Sequence, residues 1–389
     1  MKFGGTSVQD AAAMEKVTGI VRGRLAERPL VAVSAMAKVT RTLCGIAEAA
    51  ARKEAGQAEE LLTSLMDRHR AVAEELLSDD AERFMQTVLQ LESVGDDLAA
   101  CVEEVLEAGR LSDCDNARIL SCGELMSSML VSAAMNAAGI GCVWLDAREL
   151  MTTDENFLSA RPDMEATAEK VRAAVAAEPD AQVLLTQGFI ARTAGGDPSV
   201  LGFEGSDYSA AIFGACLGAS RVEIWTDVDG IRTADPRLVD GTGRIPRLSY
   251  EEAAEMAYLG ARVLHPLTIG PAREKGIPIH VLNSSNPAGE GSVVCDGAGT
   301  PDGPKSLALL TAQDIRELRT RTILDVSEKV QISVIGKNMA DSRDRIVACI
   351  RSVDAGCAVA LAENGLSLSA VIDKALAGEA LRRLHETLF

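Results

Sequence analysis

Short unbroken apolar runs alternate with amphipathic stretches through the first three-quarters of the chain. Leu30–Val33 leading into Ser34, Gln182–Thr186 and Val222–Thr226 are runs of the kind buried on both faces of a sheet, and Cys142–Leu145 and Pro278–Leu282 add two more. Continuous apolar strands separated by helical segments predict a mostly parallel sheet with helices on both faces, an α/β fold. Residues 41–136 break the alternation. They are rich in Ala, Leu, Glu and Met at helical spacing with almost no strand signal, so the pattern predicts a helical subdomain inserted into the α/β fold. Ala191–Val200, carrying Gly195-Gly196-Asp197-Pro198, predicts a hairpin or flap.

Asp296–Pro304, with three glycines and two prolines, reads as a linker. Beyond it the pattern predicts a strand at Val330–Ile335, a helix at Ser342–Val353, strands at Cys357–Leu361 and Leu366–Ile372, and a closing helix at Gly378–Leu388. This βαββα order is that of a small ferredoxin-like module. Ser306–Thr311 and Thr322–Val326 read as remnants or as supporting strands for this unit.

Composition narrows the classes. At 389 residues the chain can hold two domains or three, and 47% apolar with 25% charged residues is ordinary for a globular protein. A net charge of −18 and an aromatic content of 3% argue against nucleic acid as a partner. Nine cysteines are scattered without a CxxC pair, which fits reduced thiols, and four histidines form no metal-binding cluster. No signal peptide is evident and no apolar run approaches the roughly 20 residues of a membrane span, so a cytoplasmic location is expected.

The chemistry concentrates in segments that follow predicted strands. Gly202–Ala211 is a glycine-relieved turn running into a helix, with Ser206 or Asp207 expected at the N-cap. A helix N-terminus is a seat for an anion, so an acid there needs a metal, a lysine or a proton beside it, which singles out Asp207. Lys2–Ser7, Ser34–Thr40, Thr186–Phe189 and Thr226–Gly230 each follow a strand. In open parallel sheets ligands bind beyond the strands' carboxyl ends, so these segments are expected to converge on one site facing Gly202–Asp207. Lys38 serves equally as a loop charge or a site cation. His265 before Pro266 reads as structural, and Asp227 and Asp229 read as turn caps or, for Asp227, as a nucleotide contact.

Lys2-Phe3-Gly4-Gly5-Thr6-Ser7, Gly123-Glu124-Leu125-Met126, Gly202–Ala211, Trp225–Gly230 and Gly260–Pro266 together resemble aspartate kinase, in order and spacing, over residues 1–295. The resemblance implies an amino-acid-kinase αβα sandwich over 1–295, a linker at 296–304 and a reduced ACT regulatory module at 305–389. It implies ATP- and Mg²⁺-dependent phosphorylation of the L-aspartate β-carboxylate to 4-phospho-L-aspartate, the entry to lysine, threonine and methionine. Lys2 and Asp207 would be catalytic, with Gly4 and Gly5 around the transferred phosphoryl group. Thr40, Glu124, Phe189 and Ser206 would bind aspartate, Glu124 through its ammonium. Thr226, Asp227, Arg232, Arg237 and Arg262 would contact the nucleotide. No residue is assigned as a standing metal ligand. A homodimer through the ACT region is expected.

The chain departs from the family pattern at several places. Phe203 and Glu204 stand where the family has an arginine for the substrate's α-carboxylate and a small residue, and Arg192 in the flap is the candidate replacement cation. Arg262 stands for a lysine and Arg232 for an aromatic or apolar residue. With Met1 directly before Lys2, most of the first strand is expected to be absent. Residues 305–389 suffice for about one ACT module of the usual two, so strong feedback control is not expected. Two rival readings remain: a kinase of the same fold for another small acid, and a catalytically weak regulatory protein that binds amino acid or nucleotide.

Overall fold

The computed structural model describes the chain except for residues 203, 262, 263, 265, 298, 299 and 312–328, and the side chain of residue 266. Two compact units pack separately, Met1–Asp227 with Asn283–Pro287, and Val228–Leu282 with Ala288–Phe389.

The first unit runs β1 (Lys2–Phe3), α1 (Ala11–Arg22), β2 (Leu30–Val33), α2 (Val39–Ala51), α3 (Ala55–Leu76), α4 (Ala81–Ala108), α5 (Asp113–Ala137), β3 (Cys142–Trp144), α6 (Ala147–Leu150), β4 (Thr152–Thr153), α7 (Met164–Ala177), β5 (Val183–Gln187), β6 (Ile190–Thr193), β7 (Pro198–Val200), α8 (Gly205–Leu217) and β8 (Val222–Thr226). Five of these strands lie in the order β3-β5-β2-β1-β8 with all pairs parallel. Phe3 lies opposite Val33 and Trp225, and Val33 opposite Gln187, so β1, β2, β5 and β8 end level with one another. The turns that follow all four therefore open on one edge. A two-residue strand has few ladder bonds, but Phe3 is fully buried and stacks on Trp225 with ring centroids 5.8 Å apart, which pins β1 at the centre. β6 and β7 form the expected hairpin, with β4 alongside β6.

The expected helical subdomain is α2 to α5. α5 is buried on nearly every side between Ala117 and Met135, as a helix in the middle of a bundle should be. Its buried hydroxyls are satisfied by backbone: Ser121 donates to Ala117 O at 2.7 Å, Ser128 to Leu125 O at 2.8 Å and Ser127 to Ser34 O at 2.7 Å. Glu124 on the same helix is the exception taken up below.

The second unit contains β9 (Arg247–Ser249), α9 (Tyr250–Tyr258), α10 (Pro266–Glu274), β10 (Ile279–Asn283) and β11 (Ser292–Cys295), with β10–β11 antiparallel and β11–β9 parallel. β12 (Gly303–Leu310), β13 (Lys329–Lys337), β14 (Ala358–Leu361) and β15 (Ser367–Asp373) make an antiparallel sheet in the order β12-β13-β15-β14. Helices over Arg343–Val353 and Ala377–Leu388 cover it, and Val334, Ile346, Leu368 and Leu384 are fully buried in the core between them. This is the βαββα order read from the sequence, with β12 as the supporting strand; Thr322–Val326 lies outside the described residues. Lys305 in β12 is buried against Glu252 of α9, 2.5 Å away. Glu252 also completes a capping box: Ser249 N–H donates to its carboxylate at 2.8 Å, and its own N–H donates to Ser249 Oγ at 3.0 Å.

Among the described residues no helix is long and apolar enough to cross a membrane, and all nine cysteines are free.

Candidate active site

The four turns at the sheet edge are laced together by backbone. Ser34 N–H donates to Phe3 O at 3.1 Å, Gly188 N–H to Val33 O at 2.9 Å, Ala37 N–H to Gly5 O at 3.0 Å and Gly4 N–H to Trp225 O at 3.3 Å. Gly4 thus uses its N–H within the scaffold. A Cβ at Gly5 would stand 2.8 Å from Ala35 O, and one at Gly188 would stand 2.7 Å from Ser206 Cβ, so both positions exclude any larger residue. Through Gly188 the turn after β5 packs directly on the first turn of α8.

That first turn corrects one expectation. The N-cap of α8 is Glu204, not Ser206 or Asp207, and no side chain caps the helix. Glu204 sits at φ +53°, in the left-handed region, whereas a side chain that caps does so from extended backbone. Ser206 and Asp207 are consequently the second and third helical residues, where an acid gains from the helix dipole. Asp207 reaches Lys2, with Oδ1 2.7 Å from Nζ and both side chains almost buried. At this distance the two form a charge-assisted contact that closes the corner.

Beside this corner lies a cavity of about 500 Å³ lined by Thr40, Glu124, Phe189 and Ser206, with Gly5, Lys38, Asn116 and Gly202. The sequence named the first four as substrate residues, and the fold brings all of them to one space. Asn116, Leu120 and Glu124 line it at intervals of four along α5, one face of the helix. Phe189 and Lys38 adopt φ of +69° and +72°, each a strained geometry of order 1 kcal/mol or more. Ser209 Oγ accepts the Phe189 N–H at 2.8 Å and helps to hold that turn.

Glu124 is 4% exposed, and its Oε2 has no hydrogen-bond partner among the described residues. Burial pushes its carboxyl up to about 8, against the opposing pull of the Ala35 and Glu124 backbone N–H groups and the Lys2 charge. The group is therefore held protonated at neutral pH, and a cation seated beside it would restore the carboxylate. Sequence reasoning missed Asn116, whose Oδ1 is likewise buried without a partner among the described residues. Its signal was the four-residue spacing to Leu120 and Glu124.

The expected nucleotide residues fall in different places. Thr226 ends β8, its carbonyl accepting Ser284 N–H at 2.9 Å, and its hydroxyl donates to Asp227 at 3.2 Å. Arg232 and Arg237 belong to the second unit, and both are engaged locally. Arg232 donates to Thr242 Oγ1 at 2.8 Å, and Arg237 pairs with Asp235 at 2.6 Å. Arg192 pairs with Glu149 at 2.5 Å and does not line the cavity. Phe203, Arg262 and His265 lie outside the described residues.

Comparison with known proteins agrees with this geometry. Residues 1–283 match the amino acid kinase family. Lysine-sensitive aspartokinase 3 of Escherichia coli (strain K12) is 36% identical over 328 residues, covering 83% of this chain and 70% of that protein. The chloroplastic bifunctional aspartokinase/homoserine dehydrogenase 2 of Zea mays is 36% identical over 304 residues, 78% of this chain, and the match spans only 33% of its length. The crystal structure of E. coli aspartokinase III in complex with aspartate and ADP superimposes with a TM-score of 0.86 at 27% identity, over 100% of this chain and 99% of that one. An open parallel edge with a lysine–aspartate corner, sequence matches to aspartokinases and a shared fold lead to one statement: the chain belongs to the amino acid kinase family.

Proposed function

We propose that this chain is an ATP-dependent aspartate kinase that phosphorylates the β-carboxylate of L-aspartate. The observation that carries the reading is Glu124, a buried carboxyl group whose Oε2 has no hydrogen-bond partner among the described residues, lining a cavity beside the Lys2–Asp207 corner. An ammonium-bearing acid fits this arrangement. Its amine pairs with Glu124, and its reacting carboxylate lies toward Gly5 and Ser206, where α8 presents an uncapped N-terminus. Phosphoryl transfer is chiefly positioning and charge stabilisation, and Lys2 supplies positive charge at that edge while Asp207 fixes its position. Thr226 and Asp227, at the end of the strand next to β1, are the nucleotide side of the same edge. Arg232, Arg237 and Arg262 are the further nucleotide contacts that this reading proposes.

Mg²⁺ binds through one or two carboxylates and otherwise through substrate phosphates and water, and the Asp207 carboxylate at this corner would supply one such ligand. When bound, the ion supplies further neutralisation of phosphate charge. Residues 1–295 act as the catalytic domain and 305–389 as an ACT-like module, supported by the four-stranded sheet and its two helices. Its edge strand β14 exposes Ala358, Ala360 and Leu361, which supports a homodimer formed through this region. Free cysteines throughout fit a reducing cytoplasm.

The test is a coupled ATP assay over a panel of acidic amino acids, with wild type and Lys2→Met. Aspartate is expected as the preferred acceptor. Intact ATP binding without aspartate turnover would overturn the reading. Adding lysine or threonine should leave the rate nearly unchanged, and light scattering should give twice the chain mass.

A further inference from the structure

The aspartate reading leaves the substrate's second carboxylate without a partner. Its amine goes to Glu124 and its reacting carboxylate to the Lys2 edge, yet the α-carboxylate brings a full charge into the same cavity. Among the described residues that line the cavity, Lys38 brings the only positive charge. Its ammonium has no ion pair among those residues. Lys38 is also the N-cap of α2, a 13-residue helix whose first turn receives no side-chain cap, and Thr40 of that turn lines the same space.

We infer that Lys38 and the uncapped first turn of α2 form the α-carboxylate subsite, an inference that rests on the aspartate reading above. Position follows from the packing around Glu124. Its carboxylate accepts a hydrogen bond from Ala35, three residues before Lys38. A Cβ on the adjacent Gly123 would stand 3.0 Å from Val39 and 3.1 Å from Leu43, so α5 presses on the first turn of α2 at this level. The amine and α-carboxylate of an amino acid share one carbon and lie roughly 3–4 Å apart. An amine held by Glu124 therefore brings the α-carboxylate to the start of α2. There it meets the helix dipole, the Thr40 hydroxyl and the Lys38 ammonium. The unpartnered Oε2 of Glu124 is the independent sign that a ligand belongs at this end of the cavity. The left-handed conformation of Lys38 is held from outside by Arg68, which donates to Ala37 O at 2.8 Å and to Gln9 O at 3.0 Å.

The experiment compares L-aspartate with its α-amide, which keeps the reacting β-carboxylate, in wild type, Lys38→Met and Lys38→Arg. Loss of one charge-assisted contact should raise the aspartate KM about 10- to 100-fold in Lys38→Met, with the KM for ATP unchanged. The wild type should disfavour the amide by a similar factor, Lys38→Met should nearly abolish that preference, and Lys38→Arg should retain it. An aspartate KM within about twofold of wild type in Lys38→Met, or an undiminished preference over the amide, overturns the subsite while leaving the kinase reading intact. Failure of the wild type to use aspartate overturns the kinase reading, and this inference with it. The unchanged KM for ATP and an unchanged melting temperature separate these outcomes from misfolding.

Discussion

Two buried glutamates on two helices show how differently one side chain can be used. Glu252, fully buried in the second unit, is satisfied on every side: Lys305 at 2.5 Å, the Ser249 N–H at 2.8 Å and a reciprocal cap through its own N–H. Glu124, 4% exposed in the first unit, has one oxygen with no partner, and its carboxyl is driven up to about 8. A buried charge with all its bonds made is structural. A buried carboxyl with an acceptor left open is costly, and it is tolerated where a ligand completes it. The difference lies in the neighbours, which only the fold supplies.

The largest expected effect breaks the satisfied pair. Lys305→Met leaves Glu252 buried and without its cation, at a cost of about 3–5 kcal/mol in unfolding free energy. Denaturant titration measures it, and kinetic constants at a permissive temperature should stay near wild type. A loss under about 1 kcal/mol would show that Glu252 does not depend on this partner. At the open site the corresponding change is Lys2→Met. Removing a preorganised charge from the reacting edge should lower kcat about 10²- to 10³-fold, with the KM for aspartate changed far less. An unchanged KM for Mg²⁺–ATP beside the lowered kcat would place the effect on chemistry rather than nucleotide binding.

Much of this contrast could be read in the sequence, and the unread part has physical causes. Apolar runs of four or five residues, such as Leu30–Val33 and Val222–Thr226, announced their strands. β1, β4 and β9 have two or three residues each, too few to show a period, and exist through their pairing partners. Thr40, Glu124, Phe189 and Ser206 were named from motifs, and one cavity gathers them. Glu204 as N-cap was not legible, because a left-handed backbone at a non-glycine residue has no sequence signature. Nor was the local pairing of Arg237 with Asp235 and of Arg192 with Glu149, which depends on side-chain geometry.

A smaller effect sharpens the comparison through pH. Glu124 titrates at about 8 in the folded chain against 4.5 for the ordinary group, so the folded state holds the proton more tightly. Its stabilising contribution is complete below about pH 4.5 and is lost as pH rises through 8, which amounts to about 2 kcal/mol between pH 6 and 8. Glu124→Gln should flatten that slope and raise stability at pH 8, while raising the aspartate KM about 10- to 100-fold. Thermal melts across this range, with and without aspartate, test both halves. A slope unchanged by the substitution would mean that Glu124 is not the titrating group.

The smallest effect returns to the satisfied glutamate. Ser249→Ala removes the hydroxyl that accepts the Glu252 N–H, but it leaves both the Lys305 ion pair and the Ser249 backbone N–H in place. Loss of an N-cap hydroxyl costs about 1 kcal/mol, so the unfolding midpoint should move slightly and the kinetic constants not at all. If instead the loss matches that of Lys305→Met, the cap and the ion pair act as one cooperative network, and the double variant should then cost no more than either single change. Glu252 would in that case resemble Glu124 in depending on one critical contact, the difference being that the chain itself supplies it.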